Sequence, residues 1–257
     1  MSSGLLGAQE LREELVAARL TGEVATSPAS TLLNAELLIS GDERYTFGLP
    51  DWEEASVEDA VAAVAEVCGA DPSAAAPDGL GMILPERTLA AIALHRDRLA
   101  AVATRRGRVL LATGHPTGLI PHYAAIGRAL VAAGCSLLTP LEEYTVIAGD
   151  APRRIRYLDS VACVTDGGRL LHTHRSRFME TMLDHVGPGN VDLVVADHGM
   201  AGAAIARGIA TLSIADVNDP ALPLAQVRGR TDAVLPIDDN LAPRLFAPVT
   251  RAVLSWT

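Results

Sequence analysis

VDLVVADHGMAGAAIARGIATLSIADVNDP, residues 191–220, is the stretch that decides the fold. It contains two apolar runs of strand length that are rich in β-branched residues, Val191–Ala196 and Thr211–Ala215. Between them, Met200–Arg207 consists mainly of small residues and suits a short helix packed closely on a sheet. This pattern predicts a β-α-β unit with two parallel strands.

Polar residues follow both of these strands. Asp197 and His198 come after the first strand, and Asp216 and Asp219 come after the second. In an open α/β sheet the ligand binds beyond the carboxyl ends of the strands, so these residues are expected at one edge. A single Asp after a strand is commonly a helix cap, but Asp at two neighbouring strand ends favours a site. We predict Asp197, Asp216 and Asp219 as ligands of Mg²⁺ or Mn²⁺, and Asp197 and His198 as catalytic residues.

The alternation of strands and helices continues outward from this unit. Arg108–Ala112 has the pattern of a buried strand before a helix, and Ala233–Ile237 that of a last strand before a closing helix. Tyr144–Ile147 and Arg154–Leu158 alternate as an antiparallel or edge pair does. The sequence therefore predicts an α/β class domain over residues 106–257, built as a three-layer, mostly parallel, Rossmann-like sheet.

Residues 1–105 show helical spacing instead. Gln9–Arg19, Val57–Cys68 and Pro85–Arg105 carry apolar residues three and four positions apart. We assign no strand before Arg108. The sequence thus predicts a helical N-terminal region, residues 1–105, followed by the catalytic α/β domain, residues 106–257.

The composition is that of a folded protein in a reducing compartment. The 257 residues are 49% hydrophobic, and no charge-free apolar run is as long as the roughly 18 residues that a membrane span requires. The first residues lack the basic start and apolar core of a secretory signal. The three cysteines lie far apart without the spacing of metal ligands. We expect a cytoplasmic protein that does not interact with membranes.

The charged residues exclude several chemistries and partners. The net charge is −10, and all 21 basic residues are arginine, which excludes a Schiff-base lysine and a lysine phosphate clamp. Residues 1–105 hold 17 acidic residues against 7 arginines, whereas residues 106–257 hold 14 of each. An acidic half argues against nucleic acid as a partner. The neutral half holds six of the seven histidines. As a partner, a second copy of this chain, in a homo-oligomer, is left open.

The segment TGHPTG, residues 113–118, follows a predicted strand and opens a helix. Glycines let the backbone approach a ligand, and free N–H groups at a helix start attract anions. The segment is neither a GxGxxG nor a Walker A motif. We predict that Thr113, Gly114 and Thr117 bind substrate and that His115 is catalytic. The alternative is an ordinary turn between a strand and a helix.

A second group of candidates lies at the junction before another helix. His172 and His174 are two residues apart, so both imidazoles face the same way if the loop is extended. Such a pair can bind a metal or supply an acid or base. Arg175 and Arg177 offer planar guanidinium groups for phosphate. We predict that all four bind substrate, and the alternative is a polar surface turn.

Other polar residues are interpreted as structural. Asp238 and Asp239 follow the last strand but precede a helix with Pro243 in its first turn, so we predict that they cap this helix. His95 and His185 lie within helical patterns and are assigned structural roles.

The motifs together resemble a known family. TGHP at 113–116, HTH at 172–174, ADHG at 196–199 and AD-x-NDPAL at 215–222 are similar to motifs of an actinobacterial family of predicted phosphatases, and the resemblance covers most of the chain. There is a looser likeness to metal-dependent damage-control phosphatases, which join a helical N-terminal part to an α/β domain. In those proteins an Asp-Asn pair after a strand holds the metal, whereas here His198 follows Asp197 and Asn218 lies in the next cluster.

The resulting hypothesis is a phosphomonoester hydrolase that acts on a small phosphorylated metabolite with the help of a divalent metal. His115 or His198 would protonate the leaving alkoxide. A metal-free route through a phosphohistidine is an alternative, although the RHG motif of histidine phosphatases is absent. Alternatives from other classes are a regulatory α/β domain that binds a sugar phosphate or nucleotide, and an isomerase or lyase acting on a phosphorylated sugar.

Overall fold

The computed structural model describes residues 7–50, 52–148 and 151–257. Its strands are β1 (Gly22–Val24), β2 (Gly81–Ile83), β3 (Arg108–Ala112), β4 (Ser136–Leu137), β5 (Thr145–Ala148), β6 (Ala151–Leu158), β7 (Val161–Thr165), β8 (Leu170–Leu171), β9 (Leu193–Asp197), β10 (Thr211–Ala215) and β11 (Val234–Pro236). Its α-helices are α1 (Ala8–Ala17), α2 (Pro28–Ile39), α3 (Val57–Cys68), α4 (Pro85–Thr104), α5 (Pro116–Ala132), α6 (Arg177–Val186), α7 (His198–Ala206), α8 (Ala221–Val227) and α9 (Ala247–Val253).

The larger sheet is mostly parallel. Its strand order is β11-β10-β9-β3-β7-β6-β5, with β4 also paired to β3 and β8 to β7. The strands β11, β10, β9, β3, β7 and β4 are parallel, whereas β5, β6 and β8 join through antiparallel pairs. The predicted α/β class and mostly parallel sheet are confirmed, and the two alternating segments do form the antiparallel pair β5–β6.

Alternating side chains along the central strands build the three layers. In β3, Leu110 and Ala112 belong to one apolar cluster, and Val109 and Leu111 belong to the other. Helices α2, α3, α6, α7 and α8 cover the first cluster, and α1, α4, α5 and α9 cover the second. Both clusters include side chains from residues 1–105, so the N-terminal helices pack directly on the sheet.

Helices α2 and α8 lie where the sequence analysis assigned no element. At the start of α2, the Ser27 hydroxyl accepts a hydrogen bond from the Ser30 N–H (3.3 Å), and Pro28 occupies the first turn. The helix buries polar Thr31 and Asn34 together with apolar residues, so the contrast between its faces is weak. The capping pattern was therefore the informative signal for α2.

The prediction that no strand precedes Arg108 is wrong. β1 and β2 form a separate antiparallel ladder in which Glu23 lies opposite Met82. Each strand has three residues, which is too short to show a period of two. The N–H of Gly81 donates to the carbonyl oxygen of Thr26 (2.8 Å), so this small sheet fixes the chain that leads into α2. Among the described residues, no helix is long and apolar enough to cross a membrane.

Candidate active site

Asp197 ties the carboxyl end of β9 to that of β3. Its Oδ2 accepts a hydrogen bond from the Thr113 hydroxyl (2.6 Å), and its Oδ1 accepts one from the Gly114 N–H (2.5 Å). Thr113 and Gly114, predicted as substrate donors, therefore hold Asp197 in this arrangement. Asp197 makes no side-chain cap to α7, so the alternative of a simple helix cap is wrong. Burial raises the pKa of Asp197, but His198 and these two donors outweigh that effect and lower it.

Close backbone approaches bring a second segment to the same edge. A Cβ at Gly114 would lie 2.2 Å from the carbonyl oxygen of Thr173, and the Thr173 N–H donates to the Gly114 carbonyl oxygen (2.8 Å). A Cβ at Gly199 would likewise lie 2.2 Å from the carbonyl oxygen of His174. Glycine at both positions lets the segment 172–174 lie directly against the ends of β3 and β9.

Four of the seven histidines meet at this edge. The ring centroids of His115 and His172 are 4.4 Å apart, as are those of His174 and His198, and both pairs are stacked. The Nε2 atoms of His172 and His174 lie 3.1 Å apart, so the two imidazoles do face one site. His115 and His198 are buried, whereas His172 is exposed and opens the cluster to solvent.

His198, the first residue of α7 and directly after β9, has a φ of +45°. This left-handed conformation is unfavourable for a residue other than glycine and persists only where the surroundings enforce it. The ring of Phe47 contacts the His198 ring edge-on, at 5.4 Å between centroids. A Cβ at Gly202 would lie 2.1 Å from the Phe47 carbonyl oxygen, so α7 accepts this loop only through a glycine. The strained turn and the aromatic contact together orient the imidazole.

Buried carboxylates surround the two buried imidazoles. His198 Nε2 lies 3.5 Å from Asp219 Oδ2 and 3.3 Å from Asp239 Oδ2, and its Nδ1 lies 3.3 Å from Asp197 Oδ1. His115 Nδ1 lies 3.5 Å from Asp239 Oδ1. Asp239 thus presents one oxygen to each imidazole.

Asp216 and Asp238 extend this group of carboxylates. The Thr26 hydroxyl donates a hydrogen bond to Asp216, and so does the Val217 N–H (2.7 Å). The carboxylates of Asp216, Asp238 and Asp239 lie close enough together to hold one ion. The prediction that Asp238 and Asp239 cap the closing helix is wrong. The short 3₁₀ turn that precedes α9 has no side-chain cap, and Asp238 instead accepts the Asn240 N–H (2.9 Å).

The facing carboxylates raise the pKa of both buried histidines. Burial lowers the pKa of His198, but Asp219, Asp197 and Asp239 outweigh it and raise the pKa well above the ordinary value. Burial also lowers the pKa of His115, and Asp239 outweighs it, so this pKa is raised as well. Without a bound cation, the carboxylates thus favour the protonated form of both imidazoles.

The pKa values of the other two histidines shift the opposite way. The His172 side chain is exposed as a whole, but its ring packs on His115 and His174, and this partial desolvation lowers its pKa to about 3, with the positive charges of His198 and His115 adding to the effect. Burial and the charge of His198 lower the pKa of His174 to about 4. Neutral imidazoles retain a lone pair that can bind a metal or accept a proton. The site thus pairs two imidazoles of raised pKa with two of lowered pKa.

The donor set fits a divalent cation. Three overlapping groups each bring three ligand atoms within 4.8 Å of one another: His115, His172 and His198; His198, Asp219 and Asp239; and Asp216, Asp238 and Asp239. Within the described residues, the buried atoms His115 Nδ1, His198 Nδ1 and Asp239 Oδ2 make no hydrogen bond and have only ion-pair contacts of 3.5, 3.3 and 3.3 Å. Buried polar atoms without hydrogen bonds are costly, and a bound cation would satisfy them. Of the three predicted metal ligands, Asp216 and Asp219 belong to these groups. Asp197 does not, and its two oxygens accept hydrogen bonds from Thr113 and Gly114 at the end of β3.

The remaining predicted residues lie at the periphery. Thr117 is exposed on the first turn of α5. Arg175 forms an ion pair with Glu43. Arg177 is exposed and lies 3.6 Å from Glu180. Their roles in substrate binding stay predictions.

Residues from the N-terminal half also contact the site. Besides Thr26 and Phe47, Asn34 of α2 donates to the Asn218 carbonyl oxygen (2.7 Å) and holds the loop after β10. The ring of Tyr45 lies edge-on to His174, at 5.9 Å between centroids. These residues carry no local motif, so only the packing of α2 and the following loop reveals them.

Fold and site define a class: an α/β protein with a buried histidine–carboxylate site at the carboxyl edge of a mostly parallel sheet. A family model described as Phosphatase matches residues 6–257. A protein named Phosphatase SCO2771, from Streptomyces coelicolor, is 36% identical over 251 residues, which cover 96% of this chain and 94% of that protein. The chain belongs to this Phosphatase family, which confirms the resemblance to actinobacterial phosphatases and supports a hydrolase.

Proposed function

We propose that this chain is a phosphomonoester hydrolase for a small phosphorylated metabolite, assisted by Mg²⁺ or Mn²⁺. The observation that carries the proposal is the cluster of His115, His198 and buried carboxylates, three of whose buried ligand atoms make no hydrogen bond, in a chain of a Phosphatase family. The acidic N-terminal half supports a small substrate, because it repels a polyanion such as nucleic acid.

The metal would be held by ligands from Asp216, Asp219, Asp239 and the histidines. When bound, it supplies Lewis-acid polarisation of the phosphoryl oxygens and lowers the pKa of a bound water. Asp197 positions the end of β3 through Thr113 and Gly114. Such supporting contacts commonly affect turnover as strongly as some ligands do.

His115 is our candidate for the general acid when the histidine end of the cluster holds no metal. It stacks on exposed His172, so it lies closer to the solvent-facing side of the cluster than His198, which carboxylates contact at both ring nitrogens. A protonated imidazole can donate its proton to the leaving alkoxide. If His115 holds a metal instead, a water bound by that metal would supply the proton. Arg175 and Thr117, at the periphery, are the candidates for contacting the rest of the substrate.

We also propose a cytoplasmic location. The three cysteines, Cys68, Cys135 and Cys163, are free and buried, as in proteins of reducing compartments.

The test is a phosphate-release assay on a panel of sugar phosphates and nucleoside monophosphates, with Mn²⁺-loaded protein and mass spectrometry of the products. We expect inorganic phosphate and the dephosphorylated alcohol in equal amounts. A product that retains its phosphate would indicate an isomerase or lyase instead. Binding of a panel member without any product would indicate a regulatory binding domain.

A further inference from the structure

Five buried carboxyl groups lie at the site. Asp197, Asp216, Asp219, Asp238 and Asp239 are each at most 4% exposed. Within the described residues, their ion pairs are with His115 and His198 alone, and the chain has no lysine. Buried carboxyl groups require hydrogen bonds, ion pairs or bound metal. Two ion-pairing histidines for five buried carboxyl groups leave ligand atoms for more than one divalent ion.

The ligand atoms are also divided by chemistry along the edge. His115, His172 and His198 form a nitrogen group, which we call the histidine position. A set of oxygens at the other end, from Asp216, Asp238 and Asp239, we call the carboxylate position. Each position has three ligand residues whose atoms lie within 4.8 Å of one another.

Asp239 lies between the two positions. Its Oδ1 is 3.5 Å from His115 Nδ1, and its Oδ2 is 3.3 Å from His198 Nε2, while the same carboxylate belongs to the carboxylate position. Buried atoms without a hydrogen bond occur in residues of both positions: Nδ1 of His115 and of His198 in the histidine position, and Oδ2 of Asp239, whose carboxylate also belongs to the carboxylate position. One carboxylate thus has the placement needed to serve two ions.

We propose that this edge is a two-cation centre, with one ion in the histidine position and one in the carboxylate position, joined by Asp239. Imidazole ligands suit ions such as Zn²⁺ and carboxylates suit Mg²⁺ and Mn²⁺, and Mn²⁺, as a first-row transition ion, binds imidazole more readily than Mg²⁺ does. Mn²⁺ fills both positions, and Mg²⁺ competes for the carboxylate position. The catalytic meaning of this centre rests on the proposed function, but the stoichiometry does not.

The first test counts ions. Purified protein is stripped of metal with a chelator, loaded with Mn²⁺, desalted, and measured for metal per chain and for its electron paramagnetic resonance spectrum. We expect two Mn²⁺ per chain with the spectrum of a spin-coupled pair, and one Mn²⁺ per chain after exposure to excess Mg²⁺. One Mn²⁺ per chain, or a spectrum of isolated ions only, overturns the proposal.

Variants then assign the two positions. His172→Gln and Asp238→Asn are each expected to reduce the content from two Mn²⁺ to one, because each removes a ligand from a different position. Matched controls are His185→Gln, an exposed histidine on α6, and Asp192→Asn, a carboxylate that pairs with Arg108 at the opposite end of β9. Both controls should retain two Mn²⁺. Unchanged content in both site variants, with circular dichroism showing that they are folded, overturns the assignment.

Two further measurements keep the outcomes separate. If Asp238→Asn fails to fold, Asp216→Asn replaces it, and the spectrum of the wild type still decides the count. Phosphate release is measured on the same samples. Two bound ions without phosphate release would refute the proposed function and leave the two-cation centre standing. One bound ion with phosphate release would refute the two-cation centre and support the proposed function.

Discussion

The pKa values of two pairs of buried histidines in this protein are shifted in opposite directions. His95 and His122, the interior pair, are 4% and 3% exposed, and His115 and His198, the edge pair, are 6% and 2% exposed. Burial lowers the pKa of His95 to about 4 and that of His122 to about 3. In the edge pair the same burial is outweighed by Asp239 and its neighbouring carboxylates, and both pKa values are raised.

The difference lies in the partners and not in the degree of burial. His95 Nε2 lies 2.9 Å from the Ala233 carbonyl oxygen, and His122 Nδ1 lies 2.8 Å from the Thr250 hydroxyl, so a neutral ring satisfies each contact. The edge pair faces buried carboxylates instead. Perturbed titratable groups of that kind concentrate at functional sites. We therefore propose that the interior pair contributes to stability and the edge pair to chemistry.

The largest expected effect comes from Asp197→Asn at the edge. An amide keeps one acceptor oxygen, so either Thr113 or Gly114 loses its hydrogen bond, and the charge facing His198 disappears. We expect turnover to fall by about 10²-fold, or roughly 3 kcal/mol of transition-state stabilisation. Asp197 makes no cap hydrogen bond to α7, so the substitution removes no cap, and the packing around this residue should preserve the fold.

Steady-state phosphate release and thermal melts of the two proteins check this prediction. Asp192→Asn is the matched control, since it removes a half-buried carboxylate from the other end of β9. The control should lose some stability and keep turnover. Equal turnover in Asp197→Asn and wild type would contradict the assignment of Asp197 to the site.

The interior pair gives a prediction about pH. The folded pKa of His95 is about 4 against 6.5 for an unperturbed histidine, so below pH 6.5 the unfolded state binds the proton first. Stability is therefore complete above pH 6.5 and falls as the pH drops toward 4, by about 3 kcal/mol from this residue. His95→Gln keeps a hydrogen-bond donor for Ala233 but does not titrate, so this part of the acid loss should disappear.

Urea unfolding of His95→Gln and wild type at pH 7 and pH 4.5 measures the difference. The exposed His185→Gln variant is the control and should lose stability in acid as the wild type does. If His95→Gln loses as much stability between the two pH values as the wild type, the neutral state of His95 is contradicted.

A smaller effect is expected from Gly114→Ala. The added Cβ would lie 2.2 Å from the Thr173 carbonyl oxygen, so the segment 172–174 must move away from β3. We expect a loss of about 2 kcal/mol in the free energy of unfolding, together with reduced turnover, because His172 and His174 move with the segment. Gly189→Ala, where nothing lies within 4 Å of the added Cβ, should change neither quantity. Equal urea midpoints for the two variants would contradict the close approach.

Sequence patterns predicted the fold better than they predicted the site. Long apolar runs such as β3, β9 and β10 identified the parallel sheet, and the sheet placed Asp197, His198 and Asp219 at one edge. Asp239 was misinterpreted, because a capping Asp and a site Asp look alike in the local sequence and only the position of β11 beside β10 separates them. Thr26 had no local signal, since it reaches Asp216 across a separation of 190 residues.

The central claim is that the edge pair and its carboxylates form the metal-dependent site of a phosphatase. Phosphate release by protein freed of metal with a chelator, before and after the return of Mn²⁺, tests it most directly. We predict no detectable release from the metal-free protein and full recovery when Mn²⁺ is returned. Undiminished release from protein shown by elemental analysis to be free of metal would contradict the claim.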